Sequence, residues 1–244
     1  MGDRGLKTVK AIDEHLEQKT ASLGRTLLFG GIDPRLLRRL AALAEWRVVP
    51  AGATIFRKGD AGDRLFAIHR GQVKISSLSI DGREVTLNLL GPGAMFGEVA
   101  VADGGERTAD ASAQEPSELV SIGRRELMPF LRENPEMMFG MMIALSHQVR
   151  WISESFEDTS FLGLPSRLAK RLVFLGAHFG KDTPDGRRLT VALPHHELAS
   201  HMNVARESVN RLMQKWRRDG LIKEDRRVLV LVDLPRLQEI ALRG

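Results

Sequence analysis

The spacing of apolar positions changes character along the chain, and each change predicts a different element. In "GIDPRLLRRLAALAEW" (31–46), Leu36, Leu37, Leu40, Leu43 and Ala44 recur at helical spacing. Asp33 stands ahead of them as N-cap and Pro34 at the first helical position. Residues 1–30 before it read as a loose arm with a weak amphipathic helix. From 47 to about 123 the runs become short and alternating or β-branched. "TIFRKG", "LFAIHRGQVKISSLS" and "REVTLNLLGPG" read as strands and "IDGR" (80–83) as a hairpin turn. Glycines at 52, 62, 71, 82, 91/93 and 104/105 punctuate them. Such even spacing predicts a small antiparallel barrel or jelly roll, with a flat sandwich or another small barrel left open.

Beyond "RENP", Met138, Met142, Leu145, Val149, Ile152 and Phe156 are separated by 4, 3, 4, 3 and 4 residues. This heptad seam predicts a long helix suited to a parallel partner, hence a homodimer. A helix lying on its own barrel would account for the Met138 to Leu145 part alone. "LGLPSRLAKRLVFLGAHFG" (162–180) is another amphipathic helix, and "KDTPDGRR" after it reads as a polar loop. A helix at 195–202, a turn around Asn203, Val204 and Ala205, a helix at 206–218 and a hairpin at 221–232 follow. "LPRLQEIALRG" ends the chain as a short helix. The class is α+β, in four parts: an arm (1–26), a barrel (27–134), a dimerisation helix (135–159) and a winged helix-turn-helix (160–238).

Charge sharpens the last part. Residues 161–244 carry 16 Lys and Arg against 9 Asp and Glu, a balance of +7, whereas residues 1–160 carry 20 against 22, a balance of −2. A polyanion is the partner such a split favours, and a merely basic surface is the alternative. Two short helices joined by a tight turn fit a helix-turn-helix, with Leu198, Ala199, Val204, Val209 and Leu212 as packing face. The second helix then offers Arg206, Glu207, Asn210 and Arg211 to base edges of double-stranded DNA. His196 and Lys215 suit phosphates, and the adjacent His195 a phosphate or the surface. Arg226 and Arg227 would form the wing tip.

The absence of cysteine excludes disulfides, thiolate ligands and an iron–sulfur sensor. Seven scattered histidines offer no ligand pair, so neither metal nor haem is expected. No P-loop, G-x-S-x-G or zinc-spaced histidines are present, which argues against an enzyme; a nucleotide-sensing regulatory subunit of one is a disfavoured reading. The longest apolar runs, such as "VLVLV" (228–232), are too short for a membrane span, and the N-terminus lacks the apolar core of a signal peptide, so a cytoplasmic location is expected.

The stretch "FGEVAVADGGERTAD" (96–110) carries the remaining chemistry. Gly97 lets backbone approach a ligand, and the short helix from Glu98 turns free N–H groups outward. Arg107 is a two-pronged donor for phosphate oxygens, Glu98 an acceptor for a ribose 2′-hydroxyl, and Thr108 adds a hydroxyl. An ion pair between Glu98 and Arg107 that ties a loop to the next strand is the alternative.

Over roughly residues 27–238 the chain resembles the CRP/FNR family of bacterial transcription regulators. "ARESVNRL" (205–212) is similar to the recognition helix of its cyclic-AMP receptor branch, which implies that Arg206, Glu207 and Arg211 read a TGTGA-like half-site in a palindrome. The stretch at 96–110 resembles the phosphate-binding cassette of cyclic nucleotide-binding domains, which implies Gly97, Glu98, Val99, Ala100, Arg107 and Thr108 as ligand contacts. Where the receptor branch has two adjacent hydroxyls against the base, an ungapped count gives Ile152 and Ser153, so only Ser153 is carried over. Cyclic AMP is the expected effector and cyclic GMP the second choice, since Thr108 also resembles cyclic-GMP modules. RNA polymerase is a further expected partner, with "GKDTPDG" (180–186) as candidate surface.

Overall fold

The structure is a computed structural model that describes residues 15–82, 84–190, 195–202, 204–225 and 228–243. Most of the expected arm lies outside these residues. So do Asn203, Arg226 and Arg227, and the side chain of His196. The chain forms two compact units that part between Val149 and Arg150.

The first unit opens with helix α1 (15–24) and α2 (Pro34–Leu43). Asp33 caps α2 as expected: its carboxylate accepts from the backbone N–H of Arg35 at 2.7 Å and of Leu36 at 3.4 Å. The strands are β1 (Glu45–Val49), β2 (Thr54–Phe56), β3 (Arg64–Arg70), β4 (Val73–Leu78), β5 (Glu84–Leu90), β6 (Met95–Phe96), β7 (Asp110–Ala113) and β8 (Ser117–Gly123). They form two antiparallel sheets ordered β1-β8-β3-β6 and β2-β7-β4-β5, the jelly-roll arrangement. Alternation along β3 and β8 builds the core on both sides of one sheet. Leu65, Ala67, Val120 and Ile122 join Leu23, Leu40 and Leu127 in a cluster with the helices. Phe66, Ile68 and Leu119 join Val73, Phe96 and Ala111 inside the roll.

Between β6 and β7 lies the six-residue helix α3 (Glu98–Asp103). After β8 comes α4 (Arg124–Glu133), an element absent from the sequence expectations, because Pro129 stands inside it. Then α5 runs from Pro135 to Phe161, slightly longer than expected. Met137 and Met141 are buried in the helix-side cluster and Leu145 packs on it. Leu145 therefore leaves the seam to which its heptad place assigned it. Met138, Met142, Val149, Ile152 and Phe156 are all exposed, with Phe139 and Ile143 beside them.

The second unit contains α6 (Leu164–Phe179), α7 (His195–Met202), α8 (Arg206–Arg218) and α9 (Leu234–Leu242). The segment read as a polar loop is instead a hairpin, β9 (Gly180–Thr183) and β10 (Gly186–Leu189). It pairs with the expected wing, β11 (Ile222–Asp225) and β12 (Val228–Leu231), in a sheet ordered β11-β12-β10-β9. Its polarity hid it: within β9 and β10 only Leu189 is fully buried, while Arg187 folds back to donate through Nε to the Gly176 carbonyl at 2.6 Å. Among the described residues, no helix is long and apolar enough to cross a membrane.

Candidate functional site

Arg107 lies between α3 and β7 and is only 4% exposed. Backbone bonds frame it: its N–H donates to the Asp60 carbonyl at 2.8 Å and its carbonyl accepts from the Gly59 N–H at 2.9 Å. The guanidinium donates through Nη1 to the Gly97 carbonyl at 3.0 Å and through Nη2 to the Arg64 carbonyl at 2.7 Å. Its Cζ sits 4.2 Å from the Phe56 ring centroid, a close cation–π contact. Phe56 in turn belongs to an aromatic group with Phe66 and Phe96, whose rings stack at 5.0 Å.

The Arg64 carbonyl is held in place by the same residue's side chain. Its guanidinium grips both Glu45 carboxylate oxygens, at 2.8 and 3.0 Å, tying β3 to β1. Gly97 completes the cradle. Its φ of +85° is left-handed, and a Cβ there would lie 2.6 Å from Arg107 Nη1. At the other side Gly62 meets α3, where a Cβ would fall 2.0 Å from the Ala100 methyl.

Burial pushes the Arg107 guanidinium below its ordinary pKa, while Asp63, Asp60 and Glu98 oppose that shift. Burial likewise pushes the Glu98 carboxyl up, offset by its own backbone N–H and by Arg107. At this site Arg107 Nε is buried without a hydrogen-bond partner. A buried donor left unpaired is costly, and an anionic oxygen is the group that would satisfy it. The residues present therefore fit a phosphate-bearing ligand. The simple ion pair offered as the alternative is not what anchors Arg107, because carbonyl oxygens hold both of its Nη atoms.

Val99 is half-buried and Ala100 buried on α3, while Thr108 is exposed at the site's edge. Ser153 belongs to the second unit and its side chain is exposed. Phe56, Arg64, Asp60 and Asp63 were not foreseen. Phe56 and Arg64 act through a ring face and a carbonyl, which no residue spacing announces.

In the second unit Leu198, Ala199 and Met202 of α7 are buried, as are Val209, Met213 and Trp216 of α8. Val204 and Leu212, expected in that face, are only half-buried, whereas Met202, Met213 and Trp216 were missed. The Val204 N–H donates to the Ala199 carbonyl at 3.1 Å, which closes the turn. Arg167 of α6 donates to the Met202 carbonyl at 3.1 Å. Arg171 lies 3.2 Å from His201 Nε2, with burial pulling its pKa down to about 10. These contacts fix α7 against α6. On the outer side of α8, Arg206, Glu207, Arg211 and Lys215 are exposed together. Asn210 is half-buried, and its Oδ1 accepts from His195 Nδ1.

Residues 46–134 match the cyclic nucleotide-binding domain family and residues 166–240 the Crp-like helix-turn-helix domain family. The chain is 32% identical over 215 residues to the CRP-like cAMP-activated global transcriptional regulator of Mycobacterium tuberculosis, which spans 88% of this chain and 96% of that protein. The chain belongs to the CRP/FNR family. It is a DNA-binding transcription regulator with a cyclic nucleotide-binding domain, and not an enzyme. The cyclic AMP receptor protein of Thermus thermophilus is 29% identical over 88% of this chain and 96% of its own length. The solved structure of the c-di-GMP responsive global regulator CLP from Xanthomonas campestris shares the fold, with a TM-score of 0.72 at 23% identity, over 82% of this chain and 99% of that one.

Proposed function

We propose that the protein is a homodimeric transcription regulator gated by a cyclic nucleotide, with cyclic AMP favoured over cyclic GMP, and that it reads a TGTGA-like palindrome. The observation that carries the gating is the buried Arg107 guanidinium with an unpaired Nε behind Gly97. In this reading the cyclic phosphate takes the donors of Arg107 and the α3 backbone from Glu98 to Ala100. Glu98 accepts from the ribose 2′-hydroxyl, Thr108 flanks the phosphate, and Ser153 contacts the base. Arg206, Glu207, Asn210 and Arg211 read bases, while His196 and Lys215 hold phosphates. RNA polymerase is a further partner, met through the β9–β10 hairpin.

Binding alone does not gate. Moving a two-state equilibrium from 1:99 to 99:1 takes roughly 10⁴-fold tighter binding to the active state. The Arg107 contacts supply a candidate for the second state, since its Nη donors are bonded to the Gly97 and Arg64 carbonyls. The same observation favours a second reading, in which the barrel works with another effector or none. Calorimetric titration with cyclic AMP, cyclic GMP and cyclic di-GMP, with palindromic DNA present and absent, separates the two. Saturable heat with cyclic AMP, lost in Arg107→Leu, supports gating. Heat from cyclic di-GMP alone, or none from any nucleotide, supports the second reading.

A further inference from the structure

We propose that His195 is a positioning residue that orients Asn210, so that Asn210 reads its base through hydrogen-bond donors alone. The proposal rests on the reading of α8 as the DNA-recognition helix. Asn210 lies four residues after Arg206 and three after Glu207, hence on the same helical face as both. Arg206, Glu207 and Arg211 are exposed, yet Asn210 is half-buried. The reason is a contact across the turn: the first residue of α7, His195, meets Asn210 through Nδ1 and Oδ1. An amide oxygen only accepts, so His195 Nδ1 carries the hydrogen and donates it.

That bond turns the carboxamide. Its oxygen faces α7, and the NH₂ end, with two donors, is left for the groove. Bidentate recognition of adenine needs oxygen and NH₂ turned together toward one base edge, to accept from N6 and donate to N7. Guanine presents two acceptors in the major groove, whereas adenine and thymine present one each, so guanine alone can engage both donors. His195 thus converts the usual adenine-reading side chain into an acceptor-reading one, without touching the base itself.

The test is selection of bound sequences from a palindrome with randomised half-sites, using the full chain with cyclic AMP present. Wild type is expected to favour guanine at one position of each half-site. Asn210→Ala should flatten that position by roughly fivefold or more, leaving those read by Arg206 and Arg211 unchanged. His195→Ala should move the same position toward adenine, and His195→Gln, whose amide can still donate, should keep the guanine preference. A uniform loss of affinity in His195→Ala with unaltered base preferences would overturn the proposal and leave His195 a strut between helices. If wild type shows no base preference at any position, including those assigned to Arg206 and Arg211, the recognition-helix reading fails with it. Thermal melting of each variant separates misfolding from altered reading.

Discussion

Arg107 is held by carbonyls, a ring face and a glycine, and each of these can be removed separately. Arg107→Leu deletes the donor set but keeps an apolar side chain against Phe56, so the barrel should fold while nucleotide heat disappears in calorimetry. Gly97→Ala is the harsher change. It forces a left-handed residue to carry a Cβ, about 1–2 kcal/mol, and drives that Cβ into Arg107 Nη1. Both stability and nucleotide affinity should fall in that variant. Glu98 makes a prediction about pH. Its native carboxyl holds its proton to higher pH than the unfolded one does, because burial disfavours the charge. The unfolded state thus releases that proton first as pH rises, and the native state is progressively penalised up to the native pKa. Glu98→Gln removes the titration. The variant should gain stability relative to wild type as pH rises from acid to neutral, and denaturation at several pH values should show that gap opening. A gap constant with pH would mean that Glu98 is not shifted. The gain in stability should come with weaker nucleotide binding, as expected where a site holds a strained charge for function.

Elements differ in how legibly their causes are written. Asp33-Pro34 announces α2, and the cap bonds are where that pair puts them. Asp33→Ala should therefore cost about 0.5–2 kcal/mol in chemical denaturation. The jelly roll is legible because glycines mark its turns and β3 carries "LFAI", a run buried on both faces. The β9–β10 hairpin is illegible for the opposite reason. Its strands are short and polar, and what joins the hairpin to the wing is the pairing of β10 with β12, Arg187 opposite Leu231 and Arg188 opposite Val230. Pro129 hides α4, although a ten-residue helix survives around it with Leu127, Phe130 and Leu131 buried. At the site, Gly97, Glu98 and Arg107 were legible because their chemistry lies in side chains or in the lack of one. The Arg64 carbonyl and the Phe56 ring face were not, since main-chain acceptors leave no trace in composition. His195 and Asn210 were each visible, but their contact spans fifteen residues of sequence and depends on how α7 and α8 pack.

At the scale of the whole molecule the exposed seam of α5 and the charge split make one linked prediction. Val149, Ile152 and Phe156 are 63%, 52% and 73% exposed, far more than isolated apolar residues on a helix of this length require. Their 3- and 4-residue spacing matches a second copy of the same helix, because identical seams interdigitate in a parallel pair. A dimer carries two copies of α8, and two half-sites one helical turn apart need both. Val149→Glu with Phe156→Glu places like charges in that seam and should yield monomers in sedimentation or light scattering. Met137, Met141 and Leu145 point to the barrel instead, so the fold should be spared. The +7 balance of residues 161–244 then sets how DNA affinity responds. Each phosphate neutralised contributes about −0.9 to the slope of log K against log salt, so a dimer engaging both half-sites should show roughly twice the slope of the monomeric variant. Equal slopes in wild type and variant would mean that a single α8 engages DNA at a time, and the palindrome would lose its physical basis.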